Sequence, residues 1–154
     1  MIMEAMRQFL AAVIGTVGFS VMFRVPRKYY PDCGIIGGLG WIFCWFLHNG
    51  LNVWPFLATL LATFVVTLTS RMWAAKRKSA AIMFLLPAIF PMIPGGRIYW
   101  TVYYLIVNEL AMSAGNGRAA IAEVVAIVVG IMCAYEVPQQ SINRLMGAPC
   151  ANRK

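Results

Sequence analysis

The segment from residue 87 to residue 99, PAIFPMIPGGRIY, combines the residue types of a broken helix with a charge. Its three prolines remove backbone hydrogen-bond donors, and its glycine pair permits unusual backbone conformations. In lipid, such a break is tolerated only where protein or a water-filled cavity satisfies the exposed polar groups, and broken helices commonly build transporter substrate sites. The sequence therefore predicts a substrate or translocation path at the break, at Pro91, Pro94, Gly95 and Gly96.

Arg97 follows the break immediately and is the clearest charge within an apolar segment. A cation in lipid is costly, so we expect Arg97 to face a cavity or a partner, and intramembrane charge is by default a hypothesis of function. Its guanidinium could bind the carboxylate of an anionic or zwitterionic solute. Tyr99 and Tyr103 share one helical face after the break, where they either line the same cavity or pack between helices.

Glu109 and Glu123 are the candidate acidic residues of this path and its candidate proton carriers, since a buried carboxylate can titrate near neutrality. Arg97 and Glu109 would be roughly 18 Å apart on an unbroken helix, which disfavours a direct pair. A pair of Arg97 with Glu123 is possible if both face the bundle interior. Either acid could instead be a satisfied helix-end charge with no further role.

The sequence indicates no other chemistry. It has no paired carboxylates and no nucleophile with a base, and its cysteines lack metal-ligand spacing with the lone His48, so we expect neither an enzyme nor a cofactor or metal. The net charge of +8 could suggest nucleic acid. The positive residues, however, cluster at the ends of apolar segments, as topology signals do, so we expect no nucleic-acid partner. Four thiols are expected to be reduced: Cys33, Cys44, Cys133 and Cys150.

The composition predicts an all-α integral membrane protein rather than a soluble one. The apolar fraction is 61%, and the mean hydropathy is +0.73, far above the soluble range. Residues 1–154 are predicted to form a single membrane domain in a lipid bilayer, with about five transmembrane helices, the fourth broken between Pro91 and Gly96. The helices are expected at about 8–23, 33–50, 51–70, 80–112 and 119–137. Most approach the roughly 20 residues that span a bilayer.

The distribution of lysine and arginine orients these helices. Loops 24–32 and 71–79 and the C-terminal tail hold ten of the thirteen Lys and Arg residues. Cytoplasmic loops carry such an excess, so we expect the N-terminus outside and the C-terminus in the cytoplasm. This orientation requires the broken fourth segment to cross the membrane once.

Small residues predict where the helices approach each other closely. Four glycines are expected to pack against neighbouring helices: Gly34, Gly37, Gly38 and Gly40. Three threonines recur every four residues and form either a polar path or interhelical hydrogen bonds: Thr59, Thr63 and Thr67. No internal repeat is detectable, although many transporters have two related halves, so the chain is expected to pair with another protein.

Three runs of the sequence resemble the threonine/serine exporter family, and specifically its smaller, C-terminal type of module. They are GFSVMFRVPRK at 18–28, CGIIGGLGW at 33–41 and LPAIFPMIPGGRIYW at 86–100. The resemblance extends in order over most of the chain. Its most specific element is a Pro-x-x-Pro-Gly with a downstream tyrosine: Pro91, Pro94, Gly95 and Tyr99. Arg97 matches no motif of the family, so its assignment depends on the physical argument alone.

The resemblance implies the small subunit of a two-component membrane exporter of small polar metabolites, either threonine/serine-type amino acids or dicarboxylates. It implies transport across the cytoplasmic (inner) membrane, driven by an ion gradient, and a larger membrane subunit of the same family as partner. The arginine and tyrosines at the break favour a small carboxylated solute. The alternatives are a homo-oligomer and a structural or assembly subunit without its own substrate site.

Overall fold

The computed structural model describes residues 2–139, which form helices and short 3-10 turns and contain no strand. Cys150 and the basic residues of the C-terminal tail, Arg144, Arg153 and Lys154, lie outside this part of the chain. The helices are α1 (Ile2–Met22), α2 (Tyr30–Asn49), α3 (Pro55–Arg77), α4 (Ile82–Ile89), α5 (Gly95–Ile106) and α6 (Leu110–Glu136). A 3-10 turn (Arg27–Tyr29) precedes α2, and another (Phe90–Met92) follows α4.

Four of these helices are long and apolar enough to cross a membrane: α1, α2, α3 and α6. The α4 and α5 helices together also qualify, as one span that bends by 46° at the break. The predicted class, an all-α membrane protein with a broken fourth segment, is therefore confirmed. The break lies where the prolines and glycines predict it.

Several predicted helix bounds differ from the structure. The helices α1, α3 and α6 begin at Ile2, Pro55 and Leu110, whereas the sequence predicts starts at about residues 8, 51 and 119. The sequence predicts that the third helix ends at residue 70, whereas α3 continues to Arg77, because residues 72–77 are mostly good helix formers. The sequence also predicts a fourth segment that reaches residue 112, whereas α5 ends at Ile106 and α6 begins at Leu110. Asn108 causes this early turn, since its φ of 65° is left-handed and asparagine tolerates that conformation.

The α3 and α6 helices run in the same direction along their length. Residues 119–123 of α6 lie beside the start of α3 at Pro55. Gly130 lies against Thr63, and the Arg71 guanidinium donates a hydrogen bond to the carbonyl of Ala134. The chain between two parallel helices must return once, so the α4–α5 pair traverses the bundle a single time in the opposite direction.

Glycines allow α2 to approach both α1 and α3. A Cβ on Gly37 would overlap Thr16 Oγ1 of α1, and one on Gly38 would lie 2.7 Å from Phe9 and Val13. Gly34 also faces α1, with Val17 and Val13 as its neighbours. Gly40 faces the other way, because its Cβ would overlap Val66 of α3. Close backbone approach through small residues is how membrane helices pack when burial from water cannot drive association.

The best-buried part of the bundle lies between α2, α3 and α4. Phe84 of α4 is fully buried, and its ring packs edge-on against Tyr29, with 5.3 Å between centroids. Ile36 of α2 and Ala62 and Val66 of α3 belong to the same apolar cluster. The α4 half of the broken span is therefore packed against both α2 and α3.

Polar contacts fix the end of the bundle at which the positive residues cluster. Asp32 at the start of α2 pairs with Arg77 at the end of α3, with 2.9 Å between Oδ2 and Nη2. Arg71 is buried, although the sequence predicts it in a loop. Its guanidinium is also hydrogen-bonded to Gln139 Oε1, at 2.9 Å. Because unpaired C=O groups remain at the end of every helix, this arginine satisfies one and fastens α6 to α3.

The threonine stripe of α3 uses its hydroxyls within its own helix. Thr63 Oγ1 donates to the carbonyl of Thr59, and Thr67 Oγ1 donates to that of Thr63, at 2.8 and 2.7 Å. All three residues are buried. The hydroxyls of Thr63 and Thr67 are thus satisfied one turn back within α3, whereas Thr59 lines a cavity described below. The described cysteines, Cys33, Cys44 and Cys133, are free thiols.

Replacing Gly37 by alanine tests the packing of α1 on α2. The new Cβ would overlap the buried Thr16 side chain, so we expect a loss of about 1–3 kcal/mol of stability, as for other overpacked sites. The matched control is Gly15→Ala, since a Cβ at Gly15 meets nothing within 4 Å. Both variants are heated in detergent, and the fraction of protein that stays in the monodisperse peak gives each melting temperature. Equal melting temperatures for the two would contradict this account of the interface.

Candidate functional site

The break in the fourth span follows from Pro94. A proline disfavours helical geometry in the residue before it, and Ile93 is accordingly extended, with ψ of 130°. The α4 helix tightens into a 3-10 turn just before this point, and α5 starts afresh at Gly95. The Gly95 N–H donates to the carbonyl of Ile93 at 2.7 Å, so the break is closed by a tight local turn.

A cavity of about 360 Å³ lies at this break and is called the first cavity here. The break contributes residues 92–97 to its wall, and α6 contributes Glu123. The remaining lining comes from α2 and from the start of α3: Trp41, Cys44, Trp45, His48, Asn49, Pro55, Ala58 and Thr59. The wall is mostly apolar, and its charged groups are Arg97 and Glu123.

Arg97 and Glu123 form an ion pair in this wall. Arg97 Nε lies 2.8 Å from Glu123 Oε1. The carboxylate is well covered, with 14% of its side chain exposed, whereas the arginine side chain is 39% exposed. Two helices that run in opposite directions, α5 and α6, bring these residues together. Of the two pairings considered from the sequence, the structure thus contains that of Arg97 with Glu123.

A second cavity of about 430 Å³ is also lined by this pair. Its wall includes Trp54 just before α3, Phe56 of α3, and Ala119 and Ala122 of α6. Three residues line both cavities: Pro55, Arg97 and Glu123. The ion pair therefore lies where the two cavities adjoin.

Some of the predicted path residues line the first cavity, and the others lie elsewhere in the structure. Those that line it are Pro94, Gly95, Gly96, Arg97 and Glu123. Pro91 instead faces α1, where it lines a small groove with Phe19 and Gly15. Tyr99 and Tyr103 stack on each other, are 62% and 44% exposed, and line neither cavity. Glu109 lies exposed at the turn between α5 and α6.

The residues of α2 that line the first cavity are not among the path residues predicted from the sequence. Their spacing along the helix could nevertheless have indicated them. Trp41, Cys44, Trp45 and His48 recur at the spacing of one helical face, and all four line the first cavity. Polar or aromatic residues that share one face of an apolar helix indicate a surface turned away from lipid. Among residues 2–139, no group of three or more His, Cys, Asp or Glu side chains is placed to hold a metal ion.

A comparison with known protein families identifies the class of this protein. A family model described as "Threonine/Serine exporter, ThrE" matches residues 8–137. The chain belongs to the threonine/serine exporter family. The match begins in α1 and ends just after α6, so it includes the whole broken span and both members of the ion pair. No solved structure matches this exporter-family chain.

Membership confirms the resemblance found in the sequence. The chain is an exporter-type, multi-pass membrane protein, and its family is one of transporters rather than of enzymes. The two cavities and the ion pair that lines both are therefore features of a transport-family protein.

Proposed function

We propose that this chain is the small subunit of a two-component exporter of small carboxylated metabolites, and that the solute binds at the broken helix. The observation that carries the proposal is the position of Arg97, a cation beside a helix break in the wall of a cavity. A charge at membrane depth is expensive, and such charges mark substrate and ion pathways.

The size and lining of the first cavity fit a small solute. Its volume of about 360 Å³ is near the lower end of the range for small-molecule sites, about 300–1,000 Å³. Arg97 presents a planar fork of N–H donors that matches a carboxylate in geometry and charge. His48, Asn49 and Thr59 add polar groups along the same wall. Threonine, serine and small dicarboxylates all meet these requirements.

The break also separates a firmly held half of the span from a loosely held half. The α4 helix packs against α2 and α3 in the buried cluster. By contrast, α5 has no buried residue, and its main contact is with α6. We propose that α5 moves relative to α4 and the rest of the bundle during transport, with the Ile93–Pro94–Gly95 turn as hinge. Rocking of one part of a bundle around a fixed site is the usual form of alternating access.

A larger membrane subunit of the same family is the proposed partner. The outward face of α5 carries a run of exposed aromatic side chains, and the chain has no internal repeat that could supply a second half. The rest of the apolar surface is proposed to contact lipid. A homo-oligomer is the alternative.

A structural or assembly subunit without its own substrate site is the second candidate function. Its supporting observation is that Arg97 already has a partner in Glu123, as a purely structural ion pair would. Under this hypothesis, the break is packing geometry, and substitutions at Arg97 or Tyr99 change the yield of the complex rather than its turnover.

Orientation is the remaining part of the proposal. We propose that the chain lies in the cytoplasmic (inner) membrane with its N-terminus outside and its C-terminus inside. The support is the bias of ten of thirteen Lys and Arg residues toward one side, together with a single traverse by the broken span. Glu109 and Glu123 are the proposed proton carriers, and no cofactor is proposed.

Arg97→Gln should abolish export while membrane insertion and folding are retained. Glutamine keeps much of the side-chain length but loses the charge that holds a carboxylate. Efflux of L-threonine and of succinate from preloaded cells is measured alongside the amount of protein in the membrane. Arg118→Gln is the matched control, because Arg118 is exposed on α6. Normal efflux by Arg97→Gln would rule out Arg97 as the solute ligand, and a loss of complex with normal turnover per complex would favour the assembly subunit.

The tagged chain, solubilised from its native membrane in mild detergent, should bring down a larger protein of the same exporter family in stoichiometric amount. Mass spectrometry identifies the co-purified protein, and an unrelated tagged membrane protein of similar size is the control. Recovery of this chain alone as a homo-oligomer would contradict a two-component exporter.

Reporter fusions test the orientation. Alkaline phosphatase is active only outside the cytoplasm, so we expect activity when it is fused after residue 109 and none when it is fused after residue 79. A fluorescent protein at the C-terminus should fluoresce. The opposite pattern at both phosphatase positions would invert the orientation.

A further inference from the structure

We propose that the groove between α2 and α3 binds an anionic phospholipid, with its acyl chains along the two helices and its phosphate at Lys76. The groove shares no described lining residue with the two cavities at the helix break. The inference therefore holds or fails independently of the proposed function.

The groove has a volume of about 410 Å³ and an apolar wall. The α2 helix contributes residues between Ile36 and Phe46, and α3 contributes Val65, Val66 and Thr69. Thr69 has the one polar side chain of this described lining, and its Oγ1 donates to the carbonyl of Val65 at 2.8 Å. The lining thus leaves no hydroxyl unpaired, and hydrocarbon is the chemistry that it accommodates.

The groove opens away from the rest of the bundle. On α2, Leu39 is exposed in the groove, whereas Gly34 and Gly38 contact α1 on the opposite face of the helix. On α3, Val65 is exposed in the groove, whereas Thr63 faces another way and lies against α6. In a membrane, this side of the protein is the one that lipid chains can reach.

A cluster of positive side chains lies at one end of this groove, where α2 begins and α3 ends. Residues 24–32 and 76–79 contain six Lys and Arg residues and one acid, Asp32. Asp32 is paired with Arg77, with 2.9 Å between Oδ2 and Nη2, so it does not neutralise the other cations. Glu136 ends α6, which packs on a different face of α3. The end of the groove therefore keeps an excess of positive charge.

Lys76 is the cation of this cluster that shares the face of α3 with the groove. Val65, Thr69 and Lys76 follow one another at intervals of four and seven residues, which places them on one side of the helix. Lys76 is exposed and lies about 10 Å beyond Thr69 along the helix axis. Because α3 ends at Arg77, this distance carries its amine toward the headgroup region, and a lysine side chain can extend further to reach it.

An anionic phospholipid matches both parts of this site at once. Its acyl chains fit an exposed groove without free polar groups, and its phosphate fits the lysine at the end of that groove. Basic pockets between membrane helices bind anionic headgroups in this way, and a zwitterionic lipid lacks the net charge that the lysine attracts. The pairing of groove and charge, rather than either alone, is what identifies the ligand.

Native mass spectrometry of the full chain, together with any subunit that co-purifies with it, tests the inference. The protein in mild detergent receives equal amounts of phosphatidylglycerol and phosphatidylcholine with identical acyl chains. Wild type should retain a single phosphatidylglycerol per chain in preference to phosphatidylcholine, because only phosphatidylglycerol carries a net negative charge. Equal retention of the two lipids would overturn the inference.

Lys76→Gln should lower the preference for phosphatidylglycerol about fivefold, which is the effect of one lysine near an anionic headgroup. Lys76→Arg keeps the charge and should keep the preference. Arg24→Gln is the matched control, because it removes a charge at the same end of the bundle but follows α1, which packs on the face of α2 opposite the groove. An equal loss in Arg24→Gln and Lys76→Gln would show diffuse attraction to a charged surface and contradict a site at Lys76.

Val65→Trp tests the groove with every charge left in place. The larger side chain fills the space between the helices, so the variant should lose the retained phosphatidylglycerol. Val128→Trp, on an exposed position of α6, is the control and should behave like wild type. Leu39→Trp, from the α2 wall, gives a second reading if Val65→Trp does not fold. Retention of the lipid by the folded groove variant would overturn the inference.

Inorganic phosphate separates a lipid site from a site for free phosphate. Excess phosphate should release no more phosphatidylglycerol than sodium chloride of equal ionic strength, because free phosphate gains nothing from the groove and both salts screen the charge equally. Selective release by phosphate would contradict a phospholipid site. Loss of a co-purified protein from Val65→Trp with unchanged lipid retention would also contradict it, since the groove would then bind a protein partner.

Discussion

The absence of water inside the bilayer is the constraint on which the rest of this structure depends. A backbone that cannot bond to solvent must bond to itself, so a helix can be interrupted only beside protein groups or a cavity. Pro94 interrupts the fourth span, and the first cavity lies at that interruption. Arg97 adds a second demand, because a charge at this depth needs a counter-charge, and Glu123 supplies it from α6.

The same constraint explains the rest of the packing. Glycines let α2 approach α1 and α3 closely, and buried hydroxyls such as those of Thr16 and Thr63 donate to carbonyls of their own helices. The buried oxygen of Ser70 is an exception among the described residues, with no hydrogen-bond partner. The result is a well-packed side around α2, α3 and α4 and a loosely packed side at α5. The two cavities lie between these two parts of the bundle.

The sequence predicts most of the fold because membrane helices leave strong local signals. The length of the apolar segments predicts the spans, and the prolines and glycines of residues 87–96 predict the break. The small residues of α2 predict its close contacts with neighbouring helices. The predicted helix bounds near Arg71 and Asn108 are less accurate, because hydropathy does not follow the helix ends there. The α3 helix continues past Arg71 into a polar segment, whereas α5 ends before Asn108 within an apolar one. The family resemblance adds the transport class, which no spacing or composition could supply.

The sequence by itself determined that a cation follows a broken helix, that four glycines pack and that the chain is an exporter-type membrane protein. Tertiary structure decided which acid meets the cation. The early start of α6 leaves Glu109 at the turn and brings Glu123 beside Arg97. It also decided that Tyr99 and Tyr103 face outward and that α2 lines the cavity. These outcomes depend on the rotation and register of one helix against another, which arise from contacts distant in sequence and leave no local pattern to read.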